Sequence, residues 1–220
     1  MNIPEHWTFH SPEIANRFEE HVREQLPWYD MVTDAVVYIV RNYLTRHDRV
    51  VDIGASTGNM INKLMPLLLE REAYVTAIED SNSMIDILVD RFAVYHNVTL
   101  EHADVVTFPL EMAQVHIMFL TMMFIPVHQR EALLQRIRAK TKKGGVIIIV
   151  DKVADHSGYF ATVLKRLGMH WKINQGAKLE DVAKKEMSLA GVQIPFDPAM
   201  IPDAKQFFRM GEFAGWVIEA

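Results

Sequence analysis

Three acidic side chains and one glycine loop carry the chemistry that can be read from this sequence. The loop is Asp52-Ile53-Gly54-Ala55-Ser56-Thr57-Gly58. It leaves a short apolar run, and Glu79 and Asp104 each stand where a later apolar run stops. A turn that leaves a strand and opens a helix brings backbone N–H groups up to a ligand. A side chain at position 54 or 58 would obstruct that approach, so glycine is expected at both. The spacing then sorts the nucleotide-binding loops. A P-loop ends in Gly-Lys-Ser/Thr, whereas Gly58 is followed by Asn59-Met60. A dinucleotide fingerprint needs glycine at position 56 and a small residue three further on, and the chain has Ser56 and Asn59 there. What fits is a nucleoside-type ligand met by acids. An ionised carboxylate only accepts hydrogen bonds. Glu79 then suits a pair of ribose hydroxyls and Asp52 a cationic amine. Asp104 suits an exocyclic amine, with the Val105 N–H donating to a ring nitrogen.

The elements behind these residues follow from hydrophobic periodicity. Runs 49–53, 74–78, 98–102, 115–120 and 146–150 read as strands, the last entered through a Gly144-Gly145 turn. Stretches 59–70, 81–95 and 128–141 read as helices, the second capped by Ser81 or Asp80. This alternation predicts an α/β fold, a mostly parallel sheet with helices on both faces. Ahead of it, Ser11-Pro12-Glu13 looks like a helix start and Pro27 a break. Met31, Val32, Ala35, Val36, Ile39 and Val40 then recur at helical spacing over 29–44.

Composition bounds the rest. The chain has 220 residues, 50% of them hydrophobic, enough for one sizeable core. Its net charge of −5 argues against a broad electrostatic grip on naked nucleic acid and favours a small substrate. With no cysteine, a reducing cytoplasm is the simplest setting. Met1-Asn2-Ile3-Pro4-Glu5-His6 does not read as a secretory signal, and no apolar stretch is long enough to span a bilayer. The ten histidines lack metal-ligand spacing, so no metal is expected.

The acid pattern selects S-adenosyl-L-methionine as the cofactor, and a family resemblance supports it. Val51-Asp52-Ile53-Gly54-Ala55-Ser56-Thr57-Gly58 and Ala77-Ile78-Glu79-Asp80-Ser81-Asn82-Ser83-Met84-Ile85 resemble class I S-adenosylmethionine-dependent methyltransferases. Within them the chain is most similar to the carboxy-S-adenosylmethionine synthase branch, enzymes of tRNA modification. The likeness continues through 131–134, 144–145 and 179–192. The resemblance implies a Rossmann-like methyltransferase domain over 47–220 and an N-terminal helical lid over 1–46. It also implies a homodimer, and a cofactor site formed by Asp52, Gly54, Ala55, Ser56, Gly58, Glu79, Asp80, Met84, Asp104, Val105 and Phe119, with Tyr29 near the methionine end. In this fold class a C-terminal hairpin completes the sheet, and 213–218 supplies its last strand. The usual long hairpin spacing is missing. Phe208, Arg209 and Glu212 therefore have two readings, sheet-edge packing, which weighs more, and a substrate mouth or dimer contact.

Departures from that branch shape the expected reaction. An ungapped alignment puts Glu186 where the branch has an Arg that binds the carboxylate of its modified cofactor, and Phe119 where it has an Asn. A Glu would repel a carboxylate. Lys184, Lys185 or Arg209 are alternative cations. The expected activity is methyl transfer to a small molecule or an RNA component. A carboxy-S-adenosylmethionine synthase and a catalytically idle cofactor-binding regulator are the alternatives. In-line methyl transfer depends first on alignment. Tyr29, Asp151 and Lys152 are the candidate catalytic groups at the sheet's C-terminal edge, and Glu186 and Arg209 the candidate substrate contacts. His10 reads as a surface residue and His116 as structural. Met118, Met122, Met123 and Phe124 read as core or an apolar pocket rim.

Overall fold

Alternation along the strands buries both faces of one sheet, and that sheet organises the chain. In the computed structural model, residues 8–153 and 158–220 are described; the opening segment, including the stretch read as lacking a secretory signal, lies outside them. Strands β1 (Arg49–Ile53), β2 (Tyr74–Glu79), β3 (Val98–His102), β4 (Ala113–Phe119) and β5 (Thr141–Lys152) run parallel. Strand β7 (Phe213–Glu219) pairs antiparallel with β5 and with β6 (Lys205–Met210). The sheet order is β3-β2-β1-β4-β5-β7-β6.

Eight helices surround it among the described residues: α1 (Pro12–Asn16), α2 (Phe18–Gln25), α3 (Tyr29–Tyr43), α4 (Asn59–Glu70), α5 (Asn82–Phe92), α6 (Val127–Lys140), α7 (Gly158–Asn174) and α8 (Leu179–Ser188). Val146, Ile148 and Val150 of β5 enter one core layer with Val36 and Val40 of α3 and Leu64 and Leu68 of α4. Ile147 and Ile149 point the other way, to Leu133, Leu134 and Ile137 of α6. The period of two thus explains why β5 reads as a continuous apolar run.

Four features differ from the sequence reading. Gly144-Gly145 lies inside β5, at an irregularity in its pairing with β4, rather than in a turn before it. The C-terminal hairpin forms with only Gly211-Glu212 between its strands, and Gly211 takes φ +57; a two-residue turn needs no long spacing. The helices read as a lid are also core elements: α2 lines a cavity with Phe18, His21 and Gln25, yet its Val22 joins Val32, Val36 and Val40 of α3 in the sheet core. Helix α7 was not anticipated; Phe160, Val163, Leu164, Leu167 and Trp171 recur at helical spacing along it, although it buries no residue.

The glycine loop has a reason nearer than ligand approach. Gly54 (φ +73) and Gly58 (φ +84) both lie in the left-handed region. A Cβ on Gly54 would sit 2.6 Å from Thr121 Oγ1, and one on Gly58 would overlap the Phe92 ring. The chain's own packing requires both glycines. Gly58→Ala is expected to cost at least about 2 kcal/mol, from left-handed strain plus core overlap. Urea unfolding measures it, and an unchanged midpoint would refute the packing argument.

Candidate active site

Strand order reverses between β1, which pairs with β2 on one side, and β4 on the other. Ligands of open α/β sheets bind beyond the strand ends at such a point. A cavity of about 260 Å³ opens there. Its floor follows the strands across the sheet: Asp104 after β3, Glu79 ending β2, Asp52 in β1, Phe119 ending β4 and Lys152 ending β5. Helices α2, α7 and α8 contribute its walls.

In the half over β1, β2 and β3, one carboxylate organises two loops. Ser56 N–H donates to Glu79 Oε2 (2.8 Å) and Ser81 N–H to Oε1 (3.0 Å). Ser56 holds φ +53 to aim that N–H. Ser81 caps α5 by accepting from Met84 N–H (3.3 Å), and Ser56 Oγ lies 3.5 Å from Met84 Sδ. Asp52 is buried, and its Oδ2 has no partner. Burial pushes the Asp52 carboxyl up to about 7, helped by the Glu79 charge; burial likewise pushes Glu79 up to about 7, against the pull of its two N–H partners. Asp104 is exposed at the rim, where its Oδ1 accepts from Val106 N–H (2.8 Å).

An aromatic pair marks the middle of the floor. The buried Tyr29 ring meets Phe119 edge-on (5.5 Å, 87°), and Asn59 Nδ2 donates to the Tyr29 hydroxyl (3.2 Å). Burial pushes the Tyr29 phenol up to about 12, so near neutral pH it is a hydrogen-bond donor and not a base. The N-terminal helices are tied down beside it. Glu19 of α2 accepts from Thr57 Oγ1 (3.1 Å) and pairs with Arg91, and Arg23 donates to Asn59 Oδ1 (3.1 Å).

The half over β5 is strongly charged. Lys152, Lys165, Lys172 and Lys185 line it together with Glu186 and Glu212. Lys172 pairs with Glu186 (2.9 Å), Lys152 donates to Gln193 Oε1 (3.0 Å), and Lys185 is hydrogen-bonded to His21 of α2. Glu186 stays ionised: burial raises its pKa, but Lys172 and Lys152 outweigh that and hold it below the ordinary carboxylate range. The repulsion expected from a Glu at this position is therefore offset by the lysines around it.

The structure brings together Tyr29, Asp52, Gly54, Ala55, Ser56, Glu79, Asp80, Met84, Asp104, Val105, Phe119, Lys152 and Glu186 around this cavity. Three anticipated residues are not in its lining. Gly58 is the N-cap residue just before α4. Asp151 is fully buried behind the wall, where its Oδ1 accepts from Met123 N–H (3.2 Å) and Lys152 N–H (2.8 Å). Arg209 is exposed on the outer strand β6. Phe208 packs on Trp28 (5.0 Å), while Glu212 in the hairpin turn does reach the cavity. Met118 and Met122 are core, and Met123 and Phe124 line the rim. His116 is buried, with Nδ1 3.1 Å from Thr141 Oγ1. Of the alternative cations, Lys185 enters the cavity and Lys184 pairs with Glu180 on the surface (2.7 Å).

Sequence reasoning missed His21, Lys165, Lys172 and Trp28. A signal existed for two of them: Lys165, Gly168, Met169 and Lys172 recur at i, i+3, i+4 and i+7, and all four line the cavity. That face of α7 is polar, so a search for an apolar stripe passes over it.

Comparison with known proteins agrees with this geometry. Residues 50–145 match the family described as Methyltransferase domain. The sheet resembles that of human N-acetylserotonin methyltransferase in complex with SAM (TM-score 0.61, 13% identity, covering 95% of this chain and 56% of that one). It also resembles DhpI in its SAH complex (TM-score 0.59, 18% identity, covering 92% and 91%). The fold is thus that of class I S-adenosylmethionine-dependent methyltransferases. A carboxy-S-adenosyl-L-methionine synthase of Staphylococcus epidermidis is 32% identical over 213 residues, 97% of this chain and 90% of that protein. The chain belongs to that family.

The raised carboxyls set a pH dependence. Asp52 and Glu79 are protonated below about 7, and a cationic amine or a pair of hydroxyls is held better by the ionised forms. Binding must then displace protons, so affinity for S-adenosylmethionine should fall as pH drops below about 7, by up to about tenfold per unit for each group. Calorimetry across that range measures it. Asp52→Asn should weaken binding and flatten part of the slope, whereas a flat wild-type profile would sink the assignment.

Proposed function

We propose that the protein transfers the methyl group of S-adenosyl-L-methionine to a small-molecule acceptor held in the half of the cavity walled by α2, α7 and α8. The observation that carries the cofactor end of this reading is Asp52 Oδ2, a buried acceptor without a partner in the cavity wall. Of the buried unpartnered side-chain oxygens among the described residues, it is the one whose residue lines the cavity, so it suits a ligand's ammonium group. Glu79 then takes the ribose hydroxyls on the lone pairs its backbone donors leave over. Asp104 and Val105 take the adenine edge, the 54–58 loop and Met84 shape the nucleoside seat, and Asp80 stands at its rim. Tyr29 and Phe119 exclude water beside the methionine end. When bound, the cofactor supplies an electrophilic methyl on a sulfonium. The protein's part is alignment of the acceptor in line with it. Lys152, Lys172 and Glu186 are placed to orient that acceptor. Walls on three sides and a net charge of −5 favour a small molecule over a large RNA, and the lack of cysteine suits a reducing cytoplasm.

One observation favours a second reading, carboxyl transfer onto the cofactor as the family name states for its relatives. The lysines around Glu186 could hold a carboxylate that Glu186 alone would repel. Mass spectrometry separates the two after incubation of the protein with S-adenosylmethionine and a small-metabolite extract. Release of S-adenosylhomocysteine with a methylated metabolite is the expected result. A carboxylated cofactor would replace methyl transfer by the second reading, and neither product would leave a cofactor binder without turnover.

A further inference from the structure

A second cavity, about 270 Å³, lies outside the first between α2 and the α7–α8 junction, and His21, Gln25, Lys172 and Lys185 line both. These residues form the partition between an inner chamber and an outer one. Lys185 of α8 closes this partition onto α2 through its hydrogen bond with His21. We propose that Lys185 is the general base of the transfer, taking the acceptor's proton in the inner cavity and releasing it through the outer one. The inference rests on the methyl-transfer reading above.

Charge around the amine supports the role. Lys185 faces His21 and Glu24 from α2, Lys172 from α7 and Lys152 from β5, with Glu186 beside it on α8. Burial holds the Lys185 amine down at about 7, with Lys172 and Lys152 pushing the same way and Glu186 and Glu24 opposing. Near neutral pH a large share is therefore the free amine, which can accept a proton. Burial, with Lys185, Lys172 and Arg17 nearby, lowers His21 to about 3, so its ring stays neutral and serves as a hydrogen-bond partner that positions the amine. Tyr29 cannot compete as a base, since its phenol stays protonated. Asp151 lies behind the wall.

The step balances. The acceptor's X–H bond gives its electron pair to the new bond with the methyl carbon, and the carbon–sulfur bond leaves its pair on sulfur. The proton passes to the Lys185 amine. Because the same residue lines the outer cavity, the proton can leave to solvent while product still fills the inner one.

Two measurements test this. In the cofactor-free protein, NMR titration of the Lys185 side chain should show a midpoint near 7, and His21→Gln should shift that midpoint. In turnover, kcat should rise with pH through about 7 and level off. Lys185→Arg and Lys185→Met should both lose that limb and about 10²–10⁴-fold in kcat, with calorimetric affinity for S-adenosylmethionine unchanged. Arginine keeps the charge but cannot accept the proton, so an arginine variant with wild-type kcat and pH profile would overturn the proposal. So would a Lys185 amine titrating near the ordinary lysine value of about 10.4. Wild-type protein that forms no S-adenosylhomocysteine overturns the transferase reading instead, and the NMR midpoint is read without turnover.

Discussion

The open end of the sheet depends on one buried carboxylate. Glu79 takes the Ser56 N–H on one oxygen and the Ser81 N–H on the other. It therefore fixes both the turn after β1 and the start of α5. The turn pays for this in strain, since Ser56 holds a left-handed backbone without being glycine. The carboxylate itself sits where burial disfavours its charge, beside a second buried acid, Asp52. Strain and desolvated charge concentrated at one place are the marks of a site shaped for a ligand. The cationic, donor-rich end of S-adenosylmethionine is what would relieve them.

The half of the cavity over β5 is positioned by a different device. Arg130 of α6 is buried and donates to the carbonyls of Ile125 (2.8 Å), Ile194 (2.7 Å) and Pro195 (2.9 Å). It clasps the rim after β4 to the chain that leaves α8. Asp151 works just behind, holding the Met123 and Lys152 backbones. Its place at the end of β5 made it look catalytic. Its contacts make it a support for the residues that do face the cavity, among them Lys152.

Legibility in the sequence follows the physics of burial. Strand β1 and helix α4 have the bounds expected from periodicity, because each presents a face to the core and ends at a glycine loop or a turn. Asp52, Glu79 and Asp104 were readable because the parallel sheet places every strand end on one edge. Position alone then brings the three to one cavity. The role of Gly58 was half readable: its backbone was foreseen, but its contact with Phe92 joins residues far apart in sequence. The charged wall was hidden for the opposite reason. Lys165 and Lys172 sit on α7, which buries no residue, so no core-facing stripe points to them, and Lys185 was named only as one of several alternative cations. Their convergence with His21 is made only by tertiary packing.

That last property carries a consequence for how such a protein changes over time. Helix α7 buries none of its residues, yet one of its faces looks into the cavity. Substitutions along that face alter what the chamber recognises while leaving the sheet and the nucleoside seat intact. Recognition and foldedness are thus encoded in separate stretches of chain. A lineage can explore new acceptors by rewriting one amphipathic surface, without first finding mutations that restore a damaged core.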